Sequence, residues 1–141
     1  MEEDNYKILA KIRLERAEEL LREAEILFEN QSYKSANNRA YYVIEKSLTA
    51  LLATAKIQTA THKGCLKQFN LLFVRDENNI FTIDDYKIAA KAEQIRNASD
   101  YDDFYIASKL ESKEQVENAK KLYLKIKEKA NGKENEDHGR Q

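Results

Sequence analysis

The sequence predicts an all-α fold, an antiparallel bundle of about five helices, and three observations carry that expectation. The 141 residues include no proline, no tryptophan and only three glycines, which favours long uninterrupted helices over a turn-rich sheet protein. Apolar residues recur at three- and four-residue spacing through most of the chain, the period of an amphipathic helix. The links between these stretches are short, and short links join antiparallel neighbours.

The first helix is expected from Tyr6 to Phe28, with Ile8, Ile12, Leu14, Ala17, Leu20, Leu21, Ala24, Leu27 and Phe28 on its apolar stripe. Asn30, Gln31 and Ser32 interrupt it. A second stripe then runs through Ala36, Ala40, Val43, Ile44, Ser47, Leu48, Leu51, Leu52 and Ala55, where the small residues permit close approach of a neighbouring helix. A third helix follows "TATHKG" and carries Leu66, Phe69, Leu71, Leu72 and Phe73. Thr82, with Asp85 three positions later, reads as the cap of a fourth helix, lined by Ile88, Ala92, Ile95 and Ser99. Ser112 reads as the cap of a fifth, lined by Val116, Ala119, Leu122, Tyr123 and Ile126. A chain of this length builds one core. The expected organisation is a single helical domain over 1–131 and a flexible tail over 132–141, where the packing pattern stops.

Charge and composition narrow the function. Lys and Arg number 24 against 25 Asp and Glu, a net charge of −1. There is no global attraction for nucleic acid or anionic lipid, so any RNA contact must rest on a local basic patch; neither DNA binding nor membrane association is predicted. Cys65 is the single cysteine, which excludes an intrachain disulfide and cysteine-pair metal sites. No pair of histidines and no Glu-x-x-His combination suggests a metal centre, and no cofactor is predicted. The first residues, "MEEDNYKILAKIRLERAEELL", lack the apolar core of a signal peptide, and no apolar run approaches the roughly 20 residues of a membrane span. A cytoplasmic location is expected.

The polar insertions into this helical pattern mark the candidate site. In "RNASDYDDFY", residues 96–105, Arg96 and Asp100 stand four apart on one helical face, as do Asn97 and Tyr101. An ordinary surface ion pair is the plain reading; Asp100 near a helix C-terminus faces the negative end of the dipole and needs a positive partner. "NNRAYY", residues 37–42, sets Asn38, Arg39, Tyr41 and Tyr42 into a helix that must pack tightly. The tyrosines read as core-edge aromatics. Arg39 reads as surface charge, or as a partner of Arg96 in holding a phosphate, for which guanidinium groups are suited. His62, in "THKG", is the single histidine inside the pattern and reads as a cap, a local hydrogen-bonding group or a base.

These motifs, "NRAYY" at 38–42, "THKG" at 61–64 and "R-x-x-x-DY" at Arg96, Asp100 and Tyr101, resemble in order and placement those of the HEPN domain superfamily. The likeness is to its small stand-alone UPF0332-like branch, related to the HEPN toxins of toxin–antitoxin systems. It covers most of residues 6–130 and implies a four- or five-helix bundle, a homodimer and a small nucleotidyltransferase as partner. Catalytic relatives are metal-independent endoribonucleases with an Arg followed four to six residues later by His, contributed by both subunits. Arg96 matches the arginine; where the histidine would stand, this chain has Tyr101 after Asp100. Histidine titrates near ~6.5, whereas tyrosine does so near ~10 and aspartate near ~3.9, so proton transfer from a ribose hydroxyl loses its natural base.

The resemblance therefore implies a nucleotide- or RNA-binding or protein-interaction module, with a ribonuclease of altered motif as the alternative. Catalytic candidates are Arg96, Asp100, Tyr101 and His62. Binding candidates are Arg39, Arg96, Asn97 and Asn38. In some HEPN toxins a tyrosine beside the arginine motif is adenylylated by the partner nucleotidyltransferase, and Tyr101 is the matching acceptor.

Overall fold

Five α-helices and one π-helical turn make up the chain in a computed structural model that describes residues 2–77 and 80–139, the stretch 133–139 as backbone alone. The helices are α1 (Glu3–Glu29), α2 (Tyr33–Thr54), α3 (His62–Phe69), α4 (Ile83–Tyr101) and α5 (Lys109–Gly139), with the π turn Asn70–Val74 continuing α3. Among the described residues there is no strand. Most of the segment expected as a tail, 132–141, lies outside the described side chains, and the domain boundary at 131 stands as a proposal.

Two left-handed residues set the first turns. Gln31 (φ 64°) and Lys56 (φ 63°) lie just past the ends of α1 and α2. At each, the next amide reaches back to the last turn: Ser32 N–H donates to the Leu27 carbonyl and Ile57 N–H to that of Leu52. This is the Schellman closure, which satisfies carbonyls that the helix end leaves free. The chain makes it without glycine. Pairings between α1 and α2 then run in opposite senses, with Phe28 against Tyr33, Glu23 near Arg39 and Arg13 donating to the Thr49 carbonyl. Tyr42 to Arg96 on α4, and Asn37 to Tyr105 in the link that follows it, give α2 and α4 the same antiparallel relation.

α2 packs against all four other α-helices. Its residues Ala36, Ala40, Val43, Ile44, Ser47, Leu48, Leu51 and Leu52 are almost wholly buried, and the alanines let neighbouring backbones approach. Leu20, Leu21 and Ala24 of α1 and Leu122, Tyr123 and Ile126 of α5 close the same core. The remaining apolar mass is a triad of Phe69, Phe73 and Phe81, with ring centroids 5.5–6.5 Å apart. The π turn presents Phe73 to this triad and leaves Leu71 and Leu72 exposed, so two residues expected on the third stripe are not core. Ile8 and Ile12, assigned to the first stripe, are likewise exposed.

The start of α4 matches its sequence signature. Thr82 Oγ1 accepts from Asp85 N–H at 3.3 Å and Asp85 Oδ2 accepts from Thr82 N–H at 2.9 Å, a reciprocal capping box. α5 begins earlier than expected. Ser108 caps it, its hydroxyl accepting from Glu111 N–H at 3.1 Å, while Ser112 is buried and donates to the Tyr33 carbonyl. The serine at 112 was the stronger signal because acidic and amide residues follow it, but a buried hydroxyl serves the α2 contact instead.

Asp85 does more than cap. Its carboxylate is buried and also accepts from Lys125 Nζ at 2.6 Å, tying α4 to α5. Removing one partner of a buried pair leaves the other charge uncompensated. Asp85→Ala is therefore expected to cost about 3 kcal/mol in urea unfolding, whereas Asp84→Ala, exposed in the same first turn, costs less than about 0.5 kcal/mol.

Candidate functional site

A helix surrounded by others must resolve each polar group it carries. On α2 these are Asn37, Tyr41 and Tyr42. Tyr41 is buried and Tyr42 half-buried; their rings meet edge to face at 5.0 Å, the arrangement the ring quadrupole favours. Arg96 of α4 lies over both, its Cζ 4.9 Å from the Tyr41 centroid and 5.6 Å from that of Tyr42. Its Nη2 donates to the Tyr42 hydroxyl at 3.4 Å, and its Nε is 3.5 Å from Asp100 Oδ2. The guanidinium is thus held by two rings and one carboxylate.

Burial works against the charge on Arg96, but the phenols of Tyr42 and Tyr41 and the carboxylate of Asp100 outweigh it and raise the pKa. The ring faces of Tyr41 and Tyr42 and the Asp100 carboxylate surround the cation. A cation over an aromatic face contributes about 0.5–2 kcal/mol, more as it is desolvated. With its side chain 30% exposed, Arg96 still offers N–H donors to an incoming anion. Nε itself is buried and makes no hydrogen bond.

His62 is the first residue of α3. Thr61 caps that helix by accepting from Gly64 N–H at 3.0 Å, and a Cβ at Gly64 would come within 3.2 Å of the same hydroxyl, which accounts for glycine there. The imidazole packs on Tyr41 with centroids 5.0 Å apart, and its Nε2 is 3.8 Å from Glu93 Oε2. Only 9% of the side chain is exposed, and neither ring nitrogen has a hydrogen-bond partner. Burial lowers its pKa; Glu93 and Glu45 pull the other way without prevailing. His62 is neutral. Tyr41 is pushed up to about 12 by burial first and Glu45 second, so it is no proton donor at neutral pH.

The structure therefore brings Arg96, Asp100 and His62 around the Tyr41–Tyr42 pair. Asn97 and Tyr101 face outward instead, Tyr101 being 82% exposed at the end of α4. Asn38 accepts from Arg39 Nη1 at 2.8 Å, and Arg39 Nε lies 3.9 Å from Glu23 on α1. No contact joins Arg39 to Arg96; Tyr42 lines a groove with Arg39 and accepts from Arg96.

Several neighbours escaped the sequence reading. Glu93, one turn before Arg96, had no local signal pairing it with a histidine 31 positions away. Asn37 is buried and donates to the Tyr105 hydroxyl at 3.3 Å, and Tyr105 donates to Glu111. Burial and then the Glu111 bond push Tyr105 up to about 12. This chain of bonds fastens the link between α4 and α5 against α2. Among the described residues no group of three His, Cys, Asp or Glu side chains converges to hold a metal ion, and no helix is long and apolar enough to cross a membrane. Cys65 is buried, and burial holds its thiol at about 12.

The depressed pKa of His62 has a consequence for stability. Between its folded value and the unfolded value near ~6.5, the unfolded chain binds more protons. The contribution is therefore fully present above pH ~6.5 and lost as pH falls through the folded pKa. Melting temperatures measured from pH 7.5 down to 5 are expected to fall more steeply for wild type than for His62→Phe; parallel profiles would show that the imidazole is not buried neutral.

Comparison with known proteins identifies the family. The model of the family described as "HEPN domain" matches residues 10–129, from α1 through most of α5. "Putative toxin MJ0605" of Methanocaldococcus jannaschii is 48% identical over 63 residues, 45% of this chain and 47% of that protein. "Putative toxin MJ0142" of the same organism is 32% identical over 89 residues, covering 63% and 59%. A "UPF0332 protein" of Thermotoga maritima is 38% identical over 60 residues, covering 43% and 46%. The chain spans about half the length of the curated relatives it matches. With the family model covering most of the bundle and its central site, the chain belongs to the HEPN domain family.

Proposed function

We propose that this chain is a binding and interaction module of the HEPN type, taking up a nucleotide or RNA at Arg96 without cutting it and acting with a minimal nucleotidyltransferase. The observation that carries the reading is the state of Arg96. It is a partly exposed cation set in place by Tyr41 and Tyr42, and a guanidinium suits phosphate recognition. The groups that would move a proton are poorly placed beside it. His62 is largely buried and Tyr41 holds its proton.

A homodimer fits the surface next to this site. Phe104, Ile106 and Leu110 are between 77% and 92% exposed along the link after α4 and the start of α5. Apolar side chains clustered in one segment mark an interaction face, and a second copy there would set the two Arg96 sites close together. Tyr101 supports the role of adenylyl acceptor. In that step its phenol oxygen bonds the α-phosphorus of ATP, pyrophosphate leaves, and the phenolic proton passes to solvent, the partner nucleotidyltransferase supplying catalysis. The relatives named as toxins add toxin–antitoxin context.

The second reading, a metal-independent endoribonuclease, draws on one observation. His62 has two unpartnered ring nitrogens and shares the Tyr41 ring with Arg96, so a movement of α3 would release a base. The experiment is RNA cleavage in EDTA with wild type and Arg96→Ala, scanned over protein concentration, with folding followed by circular dichroism. The expected result is no cleavage by either protein and RNA binding weakened about tenfold in Arg96→Ala, the loss of one charge-assisted contact. Cleavage by wild type alone would overturn the preferred reading and establish the second.

A further inference from the structure

Beyond Tyr42, away from the stacked arginine, α1 and α2 form a shallow groove of about 300 Å³ lined by Arg16, Leu20, Arg39, Tyr42 and Lys46. Arg16 and Leu20 are one helical turn apart on α1; Arg39, Tyr42 and Lys46 follow one face of α2 at helical spacing. Three of the five lining residues are cations and none is acidic. That composition is distinctive in a chain whose net charge is −1.

The cations are incompletely neutralised. Arg16 Nη1 is bonded to Glu19 at 2.9 Å. Glu23 Oε2 lies 4.0 Å from Arg16 and 3.9 Å from Arg39, too far for a hydrogen bond to either, and that oxygen is buried without a partner. Lys46 makes no ion pair among the described residues. Three cations facing two carboxylates leave a local charge of +1. The groove can therefore accept an anion, and its guanidinium forks suit phosphate oxygens.

Tyr42 makes this groove continuous with the site already described. It lines the groove and its hydroxyl accepts from Arg96, so two cationic positions flank one aromatic side chain. That order matches phosphate, base, phosphate along a single strand, where aromatic rings stack bases and cations follow the backbone. Resting on the proposed binding role of Arg96, we infer that Arg16, Arg39 and Lys46 form a second phosphate-binding position, which holds the phosphodiester neighbouring the one at Arg96 in a bound single-stranded RNA.

The test is fluorescence anisotropy of the full chain with a short labelled single-stranded RNA, measured over a salt series. Wild type is compared with Arg39→Ala/Lys46→Ala, Arg16→Ala, Arg96→Ala and the α5 surface control Lys120→Ala, all checked for folding. The double variant is expected to bind roughly tenfold more weakly, and its plot of log affinity against log salt to flatten by about 0.7 for each phosphate contact removed. Lys120→Ala is expected to match wild type. Binding weakened by Arg96→Ala but untouched by the groove variants would overturn this inference and leave the Arg96 reading standing. Binding weakened only by the groove variants would support the groove and overturn Arg96 as the anchor. No binding by wild type would overturn both. Adenosine monophosphate that binds as tightly as the RNA, with the same dependence on Arg39 and Lys46, would make the occupant a free nucleotide and overturn the strand assignment.

Discussion

α2 is enclosed by every other α-helix, and that single constraint shapes the rest of the molecule. A helix with neighbours on all sides can carry large side chains only where a partner leaves room, hence Ala36 and Ala40 on its buried surface. It can carry polar groups only where a partner satisfies them. The Asn37 amide nitrogen is met by Tyr105, though its oxygen stays buried without a partner, and Tyr41 and Tyr42 are met by Arg96. The candidate surface is thus a by-product of burial. Rings too large to leave the core edge become the platform on which α4 lays its arginine.

The same packing separates two chemical capacities that a nuclease would need together. Phosphate recognition requires an exposed cation, and Arg96 has the exposure. Proton transfer requires a group that titrates near neutrality and reaches the nucleophile. His62 is next to the arginine's platform, yet the core encloses it and burial holds it neutral. An imidazole in that position stiffens Tyr41 more readily than it serves a substrate. Binding without cleavage is the reading we propose on that ground, with Arg16, Arg39 and Lys46 adding cations on the far side of Tyr42.

Much of the fold was legible because its signals are local. The capping box at Thr82 and Asp85 is a four-residue pattern, and the α2 stripe repeats over six turns. Where reading failed, tertiary contact had overridden a local cue. Ser112 resembles a cap but is buried against Tyr33, and Leu71 and Leu72 belong to a π turn that sequence spacing cannot anticipate. The HEPN family was legible from three short motifs on successive helices. Within the site, Arg96 and Asp100 stand at helical spacing and so were visible as a pair. Glu93 beside His62, and Arg16 and Lys46 around Tyr42, were not, because each is made by two helices meeting rather than by one helix repeating.

In the function we propose, the guanidinium of Arg96, seated on Tyr41 and Tyr42, is where an RNA or nucleotide phosphate docks. The most direct measurement is nuclear magnetic resonance of the isotope-labelled protein titrated with single-stranded RNA, following the Arg96 Nε–H and the Tyr42 ring. The account predicts that both signals shift together and saturably, while those of α5 surface lysines stay in place. Saturable shifts confined to other residues, with Arg96 and Tyr42 unmoved, would contradict it.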